Sequence, residues 1–182
     1  MSLIIGINIP NSAKQKIKTQ LKHIKQEYER YKWVDEEIYH IKIFTFQESI
    51  SQEKIKEKLN SLLYDQEQFY LYTHCVSLSI RHKIKIFIEF IKEKKLEKLA
   101  EKIERQFDGS FQKLGKYIPH LDIGTYRIAS KQQYLLFKKK LKNTDIEFSF
   151  LVGELVLFET SHEKGNNILK IIHTFSLYKP TT

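Results

Sequence analysis

The 182-residue chain reads as an α+β protein made of two copies of one lobe, and three observations carry that reading. First, Tyr39-His40-Ile41-Lys42-Ile43 and Pro119-His120-Leu121-Asp122-Ile123 repeat one pattern eighty positions apart: histidine, aliphatic, polar, aliphatic. Second, each segment is followed by a helical pattern and then by a pair of strand patterns, as an internal duplication would leave them. Third, glycine (six) and proline (three) are too scarce for a long linker, so residues 1–182 are expected to form a single domain of two intimate lobes.

The elements follow in order. Ser2–Ile9 reads as a first strand. Asn11 or Ser12 can cap a long helix whose apolar face carries Ile17, Leu21, Ile24, Tyr28 and Tyr31. Trp33-Val34 and a short acidic stretch lead into the strand of His40. There, period-two alternation puts His40, Lys42 and Phe44 on one face, with Ile41 and Ile43 behind. A second helix turns Ile55, Leu59, Leu62 and Leu63 inward and Lys54, Lys56 and Lys58 to water. Phe69–Ile80 and Lys83–Phe90 look like paired strands turning near Arg81-His82. Leu96, Leu99, Ile103 and Phe107 mark a third helix, closed by Asp108-Gly109. In the next strand His120, Asp122 and Tyr126 share a face, with Leu121 and Ile123 behind. Ser130 and Gln133 make a capping box for a fourth helix that uses Tyr134, Phe137 and Leu141. Two final strands, Phe148–Phe158 and Ile168–Leu177, bracket a turn over Ser161–Asn167.

With 41% apolar residues, twelve of them phenylalanine, the chain can bury a real core. No apolar run approaches the roughly 18 residues that span a bilayer. The opening segment reads as a strand rather than a signal peptide. Cys75, the single cysteine, has no internal disulfide partner, so the cytoplasm is the expected compartment. The formal charge of +9 attracts polyanions, although solvated helix faces account for most of it; Lys138-Lys139-Lys140 and the Lys92–Lys98 cluster read that way. The other histidines read as structural: His23 exposed on a helix, His74 packed in a strand beside Cys75, His82 in a turn, His162 in a loop and His173 in the last strand. No P-loop, dinucleotide fingerprint, nucleophile elbow or metal-ligand spacing is present, and no obligate protein partner is evident.

Two strands that each present a histidine to a common cleft supply an acid and a base, because the unperturbed imidazole pKa of about 6.5 suits both roles. The frame around them resembles the 2H phosphoesterase superfamily, and most closely the 2′-5′ RNA ligase-like RNA 2′,3′-cyclic phosphodiesterases. The family mark is a pair of His-x-Thr/Ser-x motifs about eighty residues apart. Ile4-Ile5-Gly6-Ile7-Asn8-Ile9-Pro10 looks like the family's opening strand. Lys32-Trp33-Val34 through His40 looks like the approach to motif one, Pro119-His120 like the entry to motif two, and Glu154 through Thr160 like the stretch before the last hairpin. The resemblance implies a bilobal, pseudo-two-fold fold with antiparallel sheets facing a central cleft and helices outside. It implies hydrolysis of a cyclic phosphate on RNA or an oligonucleotide by His40 and His120, with feeble reverse ligation and no metal or nucleotide cofactor. Gly124-Thr125-Tyr126-Arg127 occupies the region where relatives often carry an arginine, which makes Thr125 and Arg127 candidate phosphate contacts. Phe44 and Tyr126, expected on the cleft side, are candidates for stacking on a base.

Both motif hydroxyls are replaced, by Lys42 and Asp122. An ammonium holds a phosphate oxygen as well as a hydroxyl does. A carboxylate about 4 Å from phosphate costs on the order of 4 kcal/mol at an effective dielectric near 20. A cross-cleft Lys42–Asp122 ion pair removes that penalty but leaves fewer donors for phosphate. Unpaired, the two charges favour His120 as acid and His40 as base; paired, they cancel, and the roles stay open. Three functions follow: a cyclic phosphodiesterase, a weakened or inactive binder of RNA ends or nucleotides, and an enzyme for another cyclic or 2′-5′-linked nucleotide.

Overall fold

The computed structural model describes residues 2–80, 83–107, 117–127, 130–163 and 166–179. The expected turn at Arg81-His82 and the helix stop at Asp108-Gly109 lie outside the described residues. The strands are β1 (Ser2–Asn8), β2 (Lys32–Trp33), β3 (His40–Thr45), β4 (Phe69–Ile80), β5 (Ile84–Phe90), β6 (His120–Tyr126), β7 (Ser149–Val152), β8 (Glu154–Glu163) and β9 (Asn166–Ser176). The helices are α1 (Asn11–Glu27), α2 (Gln52–Leu63), α3 (Lys94–Phe107) and α4 (Lys131–Lys142). Among the described residues no helix is long and apolar enough to cross a membrane.

All the strand pairings are antiparallel and form one strongly curled sheet in the order β7-β4-β5-β6-β3-β1-β8-β9, with β2 also on β6. Counted outward from the centre, β6-β5-β4-β7 and β3-β1-β8-β9 are two four-strand halves. Each half begins with a histidine-bearing strand. The units β1-α1-β3 and β5-α3-β6 have the same connection, strand then helix then antiparallel neighbour, as a duplicated lobe requires. The halves join edge to edge through one residue pair, Ile41 opposite Leu121. Tyr117 adds a second tie, its hydroxyl donating to the Lys42 carbonyl at 2.9 Å.

One face of the sheet carries Ile5, Ile7, Ile41, Ile43, Ile84, Ile86, Ile88, Leu121, Ile123, Leu155 and Leu157, and these pack with the apolar faces of all four helices in one core. The opposite face is lined by polar residues and a small cluster of Ile4, Val156 and Phe158. The helices are therefore outside the cleft, as expected.

Several boundaries differ from expectation. Helix α1 is preceded by Pro10 and has no side-chain cap, and Tyr28 and Tyr31 lie beyond its end, where they meet Phe137 of α4 in a tilted and an edge-on contact. Phe148–Phe158 is not one strand: it breaks at Gly153 into β7, which pairs with β4, and β8, which pairs with β1 and β9. The backbone of His162, expected in a loop, belongs to β8, and the hairpin turn is shorter than Ser161–Asn167. Ser130 does cap α4, its hydroxyl accepting from the Gln133 amide at 3.2 Å. Ser130→Ala is expected to cost about 1 kcal/mol in denaturant unfolding, with an unchanged m-value.

A β-bulge interrupts each histidine strand at the same place. On β3, Gly6 faces Lys42 but Ile5 faces Phe44, so Ile43 is the extra residue. On β6, Phe87 faces Asp122 but Ile86 faces Gly124, so Ile123 is extra. Each bulge lies three residues past its histidine, and an extra residue reverses the parity of the side chains beyond it. Gly6 permits the first one: a Cβ there would stand 2.6 Å from the Ile41 carbonyl oxygen, closer than any side chain tolerates.

Candidate active site

With Ile41 opposite Leu121, antiparallel geometry sets Asp122 across from His40 and Lys42 across from His120. Ile41 and Leu121 are buried on the helix side. The other four residues therefore share the cleft face, and the two histidines are diagonal neighbours, roughly 7–8 Å apart. The sheet brings the two motifs together.

Both imidazoles are held in the same way. His40 Nδ1 lies 2.8 Å from the Ile38 carbonyl oxygen and His120 Nδ1 lies 2.9 Å from that of Ile118, in each case two residues upstream. A carbonyl only accepts, so Nδ1 carries a hydrogen in both rings and Nε2 is left for chemistry. An aromatic ring braces each one, Phe158 at 5.4 Å from His40 and Phe87 at 5.4 Å from His120. Burial pushes the His40 imidazole below its ordinary range; Lys42 adds to that shift, while the Ile38 carbonyl and Asp122 oppose it. Burial thus favours the neutral ring of His40.

The expected Lys42–Asp122 bridge is absent. Asp122 Oδ2 instead meets the Lys85 ammonium at 2.9 Å, and its Oδ1 stands 3.9 Å from His120 Nε2. The reason lies in the ladder: β5 accompanies β6 through six residue pairs, whereas β3 and β6 share one. Lys85 is thus held at pairing distance from Asp122, and Lys42 is not. Two ammonium groups consequently face the cleft, Lys42 beside His120 and Lys85 against Asp122.

The bulges correct two other expectations. Phe44 is turned to the helix side, where it packs on Phe46 and Phe107 at 5.3 and 6.3 Å. Tyr126 is buried there too, stacked on Tyr31 at 4.2 Å. Neither ring faces the cleft. Thr45 and Thr125, each five residues past its histidine, take the cleft positions instead, opposite Ile4 and Lys85 respectively. Arg127 is exposed just past the end of β6. His74 is exposed at a bulge in β4 rather than packed, whereas His173 is half-buried against Phe175.

Sequence reasoning missed Lys85, Phe87, Phe158 and Thr45. The alternation Ile84, Ile86, Ile88 already assigned Lys85, Phe87 and Glu89 to the opposite face of β5. What it lacked was the knowledge that β5 borders β6.

No family model matches the chain, and no curated protein matches it. Solved structures do. LigT from E. coli, complexed with 3′-AMP, is 20% identical, with a TM-score of 0.70 over 97% of both chains. TT0787 of Thermus thermophilus is 13% identical, with a TM-score of 0.71 over 97% of this chain and 98% of its own. Usb1 of Kluyveromyces marxianus is 10% identical, with a TM-score of 0.54 over 94% and 97%. LigT has also been solved with NADP+, ATP and phosphate. At these identities the likeness is one of fold.

Proposed function

We propose, from the premise that this chain has the 2H phosphoesterase fold, that it hydrolyses 2′,3′-cyclic phosphate ends of RNA or oligonucleotides. The observation that carries this reading is the symmetric pair of imidazoles on one sheet face, each tied at Nδ1 and presenting Nε2. His40, kept neutral by burial, takes a proton from water as the water oxygen attacks phosphorus. The bond from phosphorus to one ribose oxygen breaks, and His120 Nε2 delivers a proton to that oxygen. The products are a phosphomonoester and a free hydroxyl. Solvent exchange then restores both rings.

In this scheme Lys42 and Lys85 replace the two motif hydroxyls as donors to the non-bridging oxygens. Asp122 does not repel the phosphate because Lys85 neutralises it and in return is oriented by it. Phe87, rather than Phe44 or Tyr126, is the aromatic surface open to a base, while Phe158 is buried against His40. The ligands held by LigT, a nucleotide and phosphate among them, are consistent with a site of this kind.

The test is to incubate purified protein with RNA ending in a cyclic phosphate and follow the terminus. Binding without turnover would favour the second reading, a non-hydrolysing binder of RNA ends. The pH profile is a further check. A base must be unprotonated, so a depressed His40 pKa keeps kcat/KM high until the pH falls below the ordinary imidazole value of about 6.5. Lys42→Met, which removes one cause of that depression, is expected to move the acid limb to higher pH. A limb at or above 6.5 in the parent protein, or one unmoved by the substitution, would assign the base elsewhere.

A further inference from the structure

Away from the histidines, the cleft face of the sheet turns apolar. His120 is opposite Glu89, and the Phe90 amide donates to the Pro119 carbonyl, so the same ladder continues to Ile91 opposite Ile118. The Ile91 amide donates to the Tyr72 carbonyl at 2.8 Å, which makes Tyr72 the next member of the row. Tyr70 is two residues along on the same face, its ring centroid 6.1 Å from that of Tyr72, and Leu151 of β7 is opposite Tyr70. The alternate residues Phe69, Leu71 and Phe90 are in the core on the helix side. Ile118, Ile91, Tyr72, Tyr70 and Leu151 are each 45–52% exposed. The strip starts at Ile118, whose carbonyl holds the His120 ring, and crosses β5 and β4 to β7 at the edge of the sheet.

We infer that this strip is a stacking platform for the unpaired bases that precede the cyclic end of a single-stranded RNA. The inference rests on the proposed function for the placement of that end between the histidines. Continuity is the first argument: a strand that leaves the imidazoles past Ile118 meets Ile91 and then the two tyrosines. Phe87 is opposite Asp122, on the other side of His120 along the ladder, so apolar surfaces flank that imidazole. Dimensions are the second. Two strand spacings, about 10 Å, separate Ile118 from Tyr72, and Tyr70 is about 7 Å further, room for about two or three bases laid on a sheet. Charge is the third. Lys92 and Lys94, which follow Ile91, are exposed and bring ammonium groups to the same rim. Glu89 shares the face but stands in the row of His120, which favours a strand that meets the strip with its bases and keeps its phosphates toward the lysines. A protein partner fits less well, because five side chains fall far short of the roughly twenty to thirty residues a side in a stable protein interface. Stacking uses the π-face common to all bases, so the platform accepts any sequence.

The probes are two tetra-adenylate strands ending in a 3′-phosphate, one intact and one with abasic riboses at every upstream position, titrated by fluorescence anisotropy at several salt concentrations. The intact strand is expected to bind at least roughly tenfold more tightly, with the same salt slope because both strands carry the same phosphates. Tyr70→Ala and Tyr72→Ala are each expected to shrink that ratio below about threefold. Tyr72→Phe should preserve it, since the ring rather than the hydroxyl makes the contact. Both tyrosines are half-exposed, so these changes leave the core intact. Equal affinities for the two strands, no measurable binding of either, or a ratio unmoved by both alanine variants would overturn the platform. So would a dimer of the parent protein in sedimentation that Tyr70→Ala dissociates, because a second copy would then cover the strip. These strands are not hydrolysed, so a clear base preference in a protein that fails to open cyclic phosphates would reject the proposed function and leave the platform standing. Equal turnover of cyclic ends on intact and abasic strands would do the reverse.

Discussion

Alanine at either His40 or His120 is expected to lower kcat/KM on a cyclic-phosphate end by about 10²–10⁴, the usual worth of a positioned proton carrier. The double variant should cost little more than either single one, because an acid and a base that act in one step fail together. The geometry behind this expectation is the Nδ1 bond of each ring to the carbonyl two residues upstream, which commits both Nε2 atoms to the cleft. His120 is 41% exposed, so its removal leaves the core intact. His40 is more enclosed and touches Phe158, and His40→Gln serves as its companion because the amide retains much of the ring's volume. Thermal unfolding should move by only a few degrees in these variants. Substantial turnover surviving in either alanine protein, with the fold retained, would remove the histidine pair from the mechanism.

The second large effect concerns Lys85 and Asp122. Lys85→Met strips the cleft of an ammonium and exposes the incoming phosphate to a carboxylate that has lost its ammonium partner. Two charges about 4 Å apart interact by around 4 kcal/mol at an effective dielectric of 20. Lys85 and Asp122 are 47% and 45% exposed, so water screens much of that. A loss of roughly ten- to hundredfold in kcat/KM remains, larger at low salt than at high. Asp122→Asn in the same chain should recover a good part of it, since the repulsion goes with the charge. Asp122→Asn alone should cost less than Lys85→Met, because it frees Lys85 from its tether but leaves the ammonium present. Additive losses in the double variant, with no recovery, would show that the pair does not act as a unit.

Much of the fold was legible in the residues. The strand at Phe69–Ile80 has the predicted bounds, and the helices fall where Ile55, Leu59, Leu96, Ile103 and Phe137 predict them. These features depend on the spacing of apolar side chains within one element, and spacing is visible in sequence. The candidate site was legible in part. His40, Lys42, His120 and Asp122 share a face because period-two alternation holds from the histidine to the second residue beyond it. It fails one residue later, where each strand bulges. Phe44 and Tyr126 were misassigned for that reason, and Thr45 was overlooked.

The partners of Asp122 and the split of Phe148–Phe158 were illegible for a different reason. Lys85 outcompetes Lys42 because β5 runs beside β6 for longer than β3 does. Gly153 separates strands that join opposite halves of the sheet; a glycine inside a strand pattern can equally mark a bulge, and only the pairings on either side make it a break. Read alone, the chain determined its class, its helices and the two strands that carry His40 and His120, because residue type and alternation are properties of neighbours along the backbone. Which strand lies beside which, where the ladders slip by one residue, and hence which charges meet in the cleft were decided by the folded molecule. Those outcomes depend on contacts between segments dozens of positions apart, down to the close approach of Gly6 to the Ile41 carbonyl.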